Sequence, residues 1–436
     1  MEHLRAWLKV VLQVRQMQPE HAQYFLTYLA QGIGRVGKDY LKSSAAQLLS
    51  MRELQLFSNL LPEFGSLPWA LKPVIVLLIE RTVPATRQLA LVTAVAVTAM
   101  PWFFLSVYPP MPMMLLLATG LASLGSAVVD GLTDGRLAAE STEASAAALQ
   151  SLCQTGYSIG AFLVGFAAWA LELPTQLSLM VTAAAWASIL VALRPTRSQQ
   201  EPGADAGWRP FAWRELAKPN ILCVAVLGFA VCLAPAADTF LYRQFVLGLK
   251  SSQQPLVSIA GTVGWFLGTF TYREKIAFGR TATGALRFSL LLWALPLFAK
   301  VLLLAVDESL ALPAALLENA ASEFGKALTF MPTTILQQLH ATKGCEGTAF
   351  TLMQSGGTLG MVLGRNLEWR LLLWCGIDAT EGAVGFSRFP VVIALAALWR
   401  ILTAAAIIWL LMPQLTQPTE QPRRKEKRDP PAQQLM

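Results

Sequence analysis

Val391–Met412, VVIALAALWRILTAAAIIWLLM, runs for 22 residues with a single charge, Arg400. At about 1.5 Å of rise per helical residue it spans the roughly 30 Å hydrocarbon core of a bilayer. Lipid offers no partner for backbone N–H and C=O groups, so a stretch of this kind must be helical. Ile221–Leu241 and Leu286–Val306 read the same way, each broken only by an isolated charge or two. The chain as a whole agrees with them. Of 436 residues, 54% are hydrophobic and 14% charged, and mean hydropathy is +0.48. A soluble domain carries roughly 25% charged residues, so there is too little charge here to coat a water-facing surface. The expected fold class is an all-α, polytopic membrane protein.

Working outward, the apolar runs predict twelve spans. They are 20–37, 55–79, 88–107, 111–131, 146–170 and 176–194, then 220–242, 252–272, 284–306, 309–335, 347–372 and 388–413. The first is the weakest, because Gln23, Gln31 and Arg35 interrupt it. SQQEPGADAGWRP at 198–210 is the clearest polar, Pro/Gly-rich stretch, and it splits the spans into two sets of six. The expected organisation is an N-terminal segment 1–19, a six-helix half 20–194, a linker 195–219, a second half 220–413 and a basic tail 414–436. Residues 4–16, LRAWLKVVLQVRQ, are amphipathic and suit an interfacial helix. Two six-span halves joined by a linker suggest the twelve-helix major facilitator fold.

Basic residues sit in alternate connections. Arg194, Arg197, Arg209, Arg214 and Lys218 surround the linker, Arg273, Lys275, Arg280 and Arg287 follow the eighth span, and RRKEKR stands at 423–428. Tyr108–Pro112, Glu172–Gln176 and Ala305–Leu310 have no Lys or Arg. Such a bias places the linker and both termini on the cytoplasmic side, although Arg35, Lys38, Lys42 and Arg52 run against it. The net charge of +7 is thereby explained by lipid headgroups, and no nucleic-acid partner is expected. Cys153, Cys223, Cys232, Cys345 and Cys375 form no CxxC pair, and there are three histidines, so neither a metal nor a cofactor is expected.

Ionisable groups inside spans are costly, and each is a functional candidate. Lys72 sits in LPWALKP, Asp130 ends the fourth span, Asp238 lies in the seventh with Arg243 five residues on, and Glu318 and Glu323 lie in the tenth. Pro68, Pro73 and Pro235 are expected to break helix hydrogen bonding and free backbone groups near Lys72 and Asp238. Arg243 and Arg365 have a plainer reading as snorkelling side chains, Lys72 as a salt-bridge partner and Glu346 as the cap of the eleventh helix. GxxxG spacings at Gly156/Gly160, Gly264/Gly268 and Gly356/Gly360/Gly364 are expected to pack the two halves against each other.

The same motifs resemble the folate–biopterin transporter family of the major facilitator superfamily. Pro68, Trp69, Ala70, Leu71, Lys72 and Pro73 look like its second-helix PWalKP core. Asp130, Arg136, Glu140 and Ser141 look like its fourth-helix signature, and Leu149–Gly156 like its fifth-helix LQSLCWG. Pro235, Asp238, Phe240 and Tyr242 resemble PxxDxxFYF, Gly268 and Tyr272 resemble LLGxxxY, and Met331–Pro332, Glu346–Gly347–Thr348 and Ser355 resemble the motifs of the last helices. Together they cover residues 24–410. Where the family has GLLSD and then an arginine-rich run, this chain has VLLIERTVPATRQ, with Val76, Glu80 and Arg87. In relatives that loop looks like a set of charge contacts latching a conformation. Thr358 stands where Asn is usual.

The resemblance implies a monomeric secondary transporter of folates or pterins, in contact with membrane lipid and driven by protons, in a plasma membrane or plastid envelope. It implies a pathway of Lys72, Asp130, Asp238, Arg243, Phe240, Tyr242 and Glu323, with Lys72 or Arg243 pairing substrate carboxylates and Phe240 and Tyr242 stacking on the pterin. Asp130 or Asp238 is the expected proton site. Gating or structural roles fall to Pro68, Trp69, Pro73, Arg136, Glu140, Gly264, Gly268 and Glu346. The alternatives are a transporter of another solute such as S-adenosylmethionine, and a non-transporting, sensor-like relative. An enzyme is not expected, since HExxH and DxD pairs are absent from the spans.

Overall fold

Twelve helices run through the described residues of the computed structural model, with no strand among them. Described are residues 21–34, 51–108 except 81 and 83, 111–192 except 143, 144, 172 and 173, 216–250 except 236, 238, 240, 241, 244 and 245, and 253–415 except 279, 343, 344 and 378–383. The side chains of 51–64, 84–87, 112, 175 and 190–192 are left aside. The first half comprises α1 (21–34), α2 (Met51–Glu80), α3 (Pro84–Val107), α4 (Pro112–Glu140), α5 (Ala146–Ala170) and α6 (Thr175–Ala192). The second comprises α7 (Pro219–Cys232), α8 (Gln254–Thr271, prolonged by a π turn), α9 (Ala282–Leu304, in two segments), α10 (Ala311–His340), α11 (Glu346–Trp374) and α12 (Phe389–Ala406, prolonged to Leu415). The N-terminal segment, nearly all of the linker and the tail beyond Leu415 lie outside the described residues.

Two expected boundaries are corrected. α4 continues to Glu140 instead of ending at 131, because Asp134 and Arg136 end the apolar run without ending the helix. Asp130 is therefore an interior residue of its helix. α7 stops at Cys232 instead of 242. Pro235 cannot donate a backbone hydrogen bond and disfavours helix in the residue before it. The irregular segment beyond includes Ala237 at φ 50°, a left-handed conformation costing a non-glycine residue about 1–2 kcal/mol. Pro68 and Pro73, by contrast, do not interrupt α2, which is helical from Met51 to Glu80.

Helix pairing repeats with an offset of six. In the first half α2 packs on α4, α1 on α5 and α3 on α6; in the second α8 packs on α10, α7 on α11 and α9 on α12. Small residues make the approaches possible. A Cβ on Gly160 would stand 2.1 Å from the Leu29 carbonyl oxygen of α1, and one on Gly360 would stand 2.3 Å from that of Phe229 in α7. The outward surfaces carry Phe103, Leu121, Leu163, Phe298 and Trp409, as lipid contact requires. Four stretches are long and apolar enough to cross a membrane on length and composition alone: Gln88–Val107, Met113–Glu140, Ala282–Leu304 and Val384–Leu415. α5 and α10 are more polar because they bury Gln150, Ser151 and Gln154, and Thr333, Gln337 and Gln338, between helices. Arg400, the one charge in the stretch that first identified a span, turns inward and lies over the Trp293 ring. No two cysteines are joined in a disulfide.

Candidate functional site

α2 carries Lys72 into a site closed by α1, α4 and α11. The side chain is 1% exposed. Its ammonium pairs with Asp130 Oδ2, lies 3.3 Å from Asp134 Oδ2, donates to Gln354 Oε1 of α11 and stands 5.2 Å from the centre of the Trp69 ring. Asp130 and Asp134 are four residues apart on α4, so both carboxyl groups leave the same helix face. From α1, Gln31 Nε2 donates to Asp130 Oδ1 at 2.7 Å and the Tyr28 hydroxyl donates to Asp134 Oδ1 at 2.7 Å. One lysine thus sits between two carboxylates of its own half and a glutamine of the other. Lys72 and Asp130 were legible in the sequence. Asp134, Tyr28, Gln31 and Gln354 were not, although a DxxxD spacing on a longer α4 would have revealed the second aspartate. One turn on, Glu140 accepts from the Tyr24 hydroxyl at 2.8 Å and Arg136 donates to Gln23 at 3.4 Å, so both tie α4 to α1.

The second half holds a separate charge cluster. Glu318 of α10 accepts from Thr239 and Ser322, each at 3.0 Å, and lies 3.5 Å from Arg243 and 3.6 Å from Lys300. Lys300 also donates to the Ala237 carbonyl at 2.7 Å, which holds the strained turn after α7. Arg243 is buried beside Glu318, so the snorkelling reading is overturned, and neither it nor Lys72 is a spare cation. Tyr242 is stacked on Phe389 and edge-on to Phe386 within the core, which removes it as a ring for a ligand. Glu323 pairs with Lys326 at 2.7 Å and packs beside Gly261. Asp238 and Phe240 lie outside the described residues.

The halves meet where α2 and α4 face α11, and where α5 faces α8. The expectation that the GxxxG glycines form this contact is overturned. Gly264 and Gly268 approach Ala320 and Phe324 of α10, Gly156 and Gly160 approach α1, and Gly356, Gly360 and Gly364 approach α7, all within their own halves. A different pair serves between halves: a Cβ on Gly135 of α4 would stand 2.7 Å from the Cα of Gly347 in α11. Beside it, Glu80 at the end of α2 accepts from the backbone N–H of Gly347 at 3.0 Å, from that of Thr348 at 3.1 Å and from the Thr348 hydroxyl. A carboxylate at a helix N-terminus satisfies unpaired amides and meets the positive end of the dipole. The cap of α11 is therefore Glu80 from the other half, and not Glu346, which is the first residue of the helix itself. Gln338 donates to Gln150 at 2.8 Å at the same level. Deeper in, Trp265 Nε1 donates to Gln154 at 3.1 Å and half-buried Tyr157, Trp265 and Phe330 gather at the α5–α8 contact, while half-buried Trp69 lies at the α2–α11 contact, where its carbonyl accepts from Ser355. Between α5 and α8 remains a void of about 10 Å³, at the lower limit for a single water.

A groove of about 460 Å³ lies elsewhere, between α11 and α12, lined by Arg370, Trp374 and Trp399 on the outward surface.

A family model described as the BT1 family matches residues 40–429. A curated relative named folate-biopterin transporter, from Synechocystis sp., is 24% identical over 342 residues, covering 73% of this chain and 68% of the relative. Among solved structures, a bacterial homologue of the iron transporter ferroportin in an outward-facing state aligns with a TM-score of 0.59 at 13% identity, over 89% of this chain and 99% of that one. The nucleoside transporter NupG aligns with a TM-score of 0.57 at 12% identity, over 90% and 98%. At such identities the likeness is one of fold, and the fold is that of the twelve-helix major facilitators.

Proposed function

The chain belongs to the BT1 family and is a multi-pass membrane transporter of a small molecule, and on that premise we propose that it moves folates, pterins or closely related solutes, coupled to protons, by alternating access. The observation that carries this is the buried Lys72–Asp130–Gln354 contact, which places an ion pair on the surface where the halves meet. Lys72 already holds a carboxylate. A substrate carboxylate, such as those of folate's glutamate tail, adds a negative charge beside it, which the site balances by holding a proton on one of its two aspartates. Binding and proton uptake are thereby linked at one lysine. Trp69, Tyr157, Trp265 and Phe330 supply the faces on which a pterin ring stacks, in place of Tyr242. Glu80 supports a transport cycle and speaks against a sensor-like relative, since it supplies the latch that the thinned loop at 76–87 had seemed to lose. The basic linker and tail are assigned to the cytoplasmic side by their Lys/Arg content.

The test is uptake of folate, biopterin and S-adenosylmethionine by the purified chain in proteoliposomes, with and without a pH gradient. Saturable accumulation of folate or biopterin that collapses with the gradient is expected. Flux of S-adenosylmethionine alone would move the substrate to the second class considered, and absence of all flux would remove the transporter of these solutes.

A further inference from the structure

We propose that Asp134 is the group that carries the coupling proton, held as an uncharged acid beside the Lys72–Asp130 ion pair. Its part in transport rests on the proton-coupled reading above; its protonation in this conformation does not.

Charge counting is the starting point. Lys72, Asp130 and Asp134 are all at least nine-tenths buried, and they comprise one cation and two carboxyl groups. One ammonium neutralises one carboxylate. A second carboxylate left charged in the same dry site would cost several kcal/mol. Two carboxyl groups within reach of one another avoid this by sharing a proton. The geometry decides which of them holds it. Both oxygens of Asp130 face strong donors, the Lys72 ammonium at Oδ2 and Gln31 at Oδ1. Asp134 has the Tyr28 hydroxyl at Oδ1 but only the 3.3 Å approach of Lys72 at Oδ2. Asp130 stands one helical turn earlier on the same face of α4 and meets the same ammonium, so an acid O–H at that oxygen can donate toward it.

The other charges of α4 nearby are turned to α1, Arg136 to Gln23 and Glu140 to Tyr24. From α5 the buried Cys153 packs with Tyr24, Tyr28 and Leu137, and α3 meets α4 through Ala94 and Thr98. At the next turn of α4, Glu80 is bonded to the first amides of α11. The charged residues of α10 are engaged with Arg243, Lys300 and Lys326.

Loss of the proton has a mechanical consequence. The Asp134 O–H bond breaks, the proton leaves to water and a second carboxylate remains in the site. Lys72 is then drawn between two carboxylates of its own half and away from Gln354 of α11. Deprotonation therefore weakens a contact between halves, and protonation restores it.

The experiment is infrared spectroscopy of the purified chain in liposomes, which needs no substrate. Wild type is expected to show a carboxylic-acid C=O band at neutral pH that disappears as pH rises, and Asp134→Asn to lose it. Asp130→Asn also loses it, because Lys72 then pairs with an ionised Asp134, so the assignment rests on two milder variants. Tyr28→Phe shifts the band if Asp134 is the acid; Gln31→Met shifts it if Asp130 is. A band shifted by Gln31→Met alone, a band surviving in Asp134→Asn, or no band in wild type overturns the proposal. In proteoliposomes Asp134→Asn is expected to lose the response of folate accumulation to a pH gradient. Absent folate flux in wild type would count against the proposed substrate while leaving the infrared result standing.

Discussion

Lys72 is 1% exposed on a helix that crosses a membrane, and it is stable there only because Asp130 and Asp134 of α4 stand against it. Removing one partner of a buried pair leaves the other charge uncompensated, at a cost of about 3–5 kcal/mol. Asp130→Asn combined with Asp134→Asn leaves Lys72 without either partner and is accordingly expected to lower the thermal midpoint and yield of purified protein, and Lys72→Met in the same chain to recover most of the loss. A triple variant no more stable than the double one would show that the three do not form one unit. The residue identities here were half legible. A lysine or aspartate in an apolar run announces itself, whereas Gln31 looked like a flaw in a weak first span until Asp130 was found 2.7 Å away. Tyr242 shows the converse. Its place in a recognisable pattern said nothing of which way the ring pointed, and it points into the core between Phe386 and Phe389.

Glycine spacing foretold close helix contacts at the scale of the element but not their partners. α8 lies on α10 so tightly that a Cβ on Gly268 would stand 2.6 Å from the Phe324 carbonyl oxygen and 2.8 Å from the Ala327 Cβ. Backbone atoms of a neighbouring helix cannot step aside, so Gly268→Leu is expected to abolish folding of the second half. The loss should be seen as failure to elute as a single species on size exclusion, before any transport is measured. A folded Gly268→Leu protein defective only in uptake would restore the contact between halves as the reason for this glycine. Helix lengths were legible where apolarity and helix end together, as in α5, predicted at 146–170 and found at Ala146–Ala170. They failed where polar residues are buried, in α4, and where a proline ends the helix within an apolar run, in α7.

For the whole molecule, the offset of six in helix pairing makes α2·α11 and α8·α5 equivalent contacts across the two halves. Among the described residues the first bears a charge latch, Glu80 on the amides of Gly347 and Thr348. A carboxylate at a helix N-terminus is worth about 0.3–1 kcal/mol, and up to roughly 2 when partly buried. Glu80→Gln keeps the shape and loses the charge, so it is expected to raise the population parted at this contact by up to about thirtyfold. Cys345, half-buried at the start of α11, reports on this directly. With the other four cysteines replaced, its alkylation by a water-soluble maleimide should quicken in Glu80→Gln, and an unchanged rate would mean that the latch does not hold the closed state.

The membrane class, the helical content and the division into two sets of six were determined by the sequence alone. They follow from the local cost of placing backbone and charge in lipid, which each stretch of about 20 residues settles for itself. The partners of Lys72, the intra-half role of the GxxxG glycines and the reach of Glu80 to α11 were decided only by tertiary structure. Each depends on a residue far away in the chain, 58 positions from Lys72 to Asp130 and 267 from Glu80 to Gly347. A buried polar group leaves no trace in hydropathy of whom it will meet, because its stability comes from the partner and not from its neighbours in sequence.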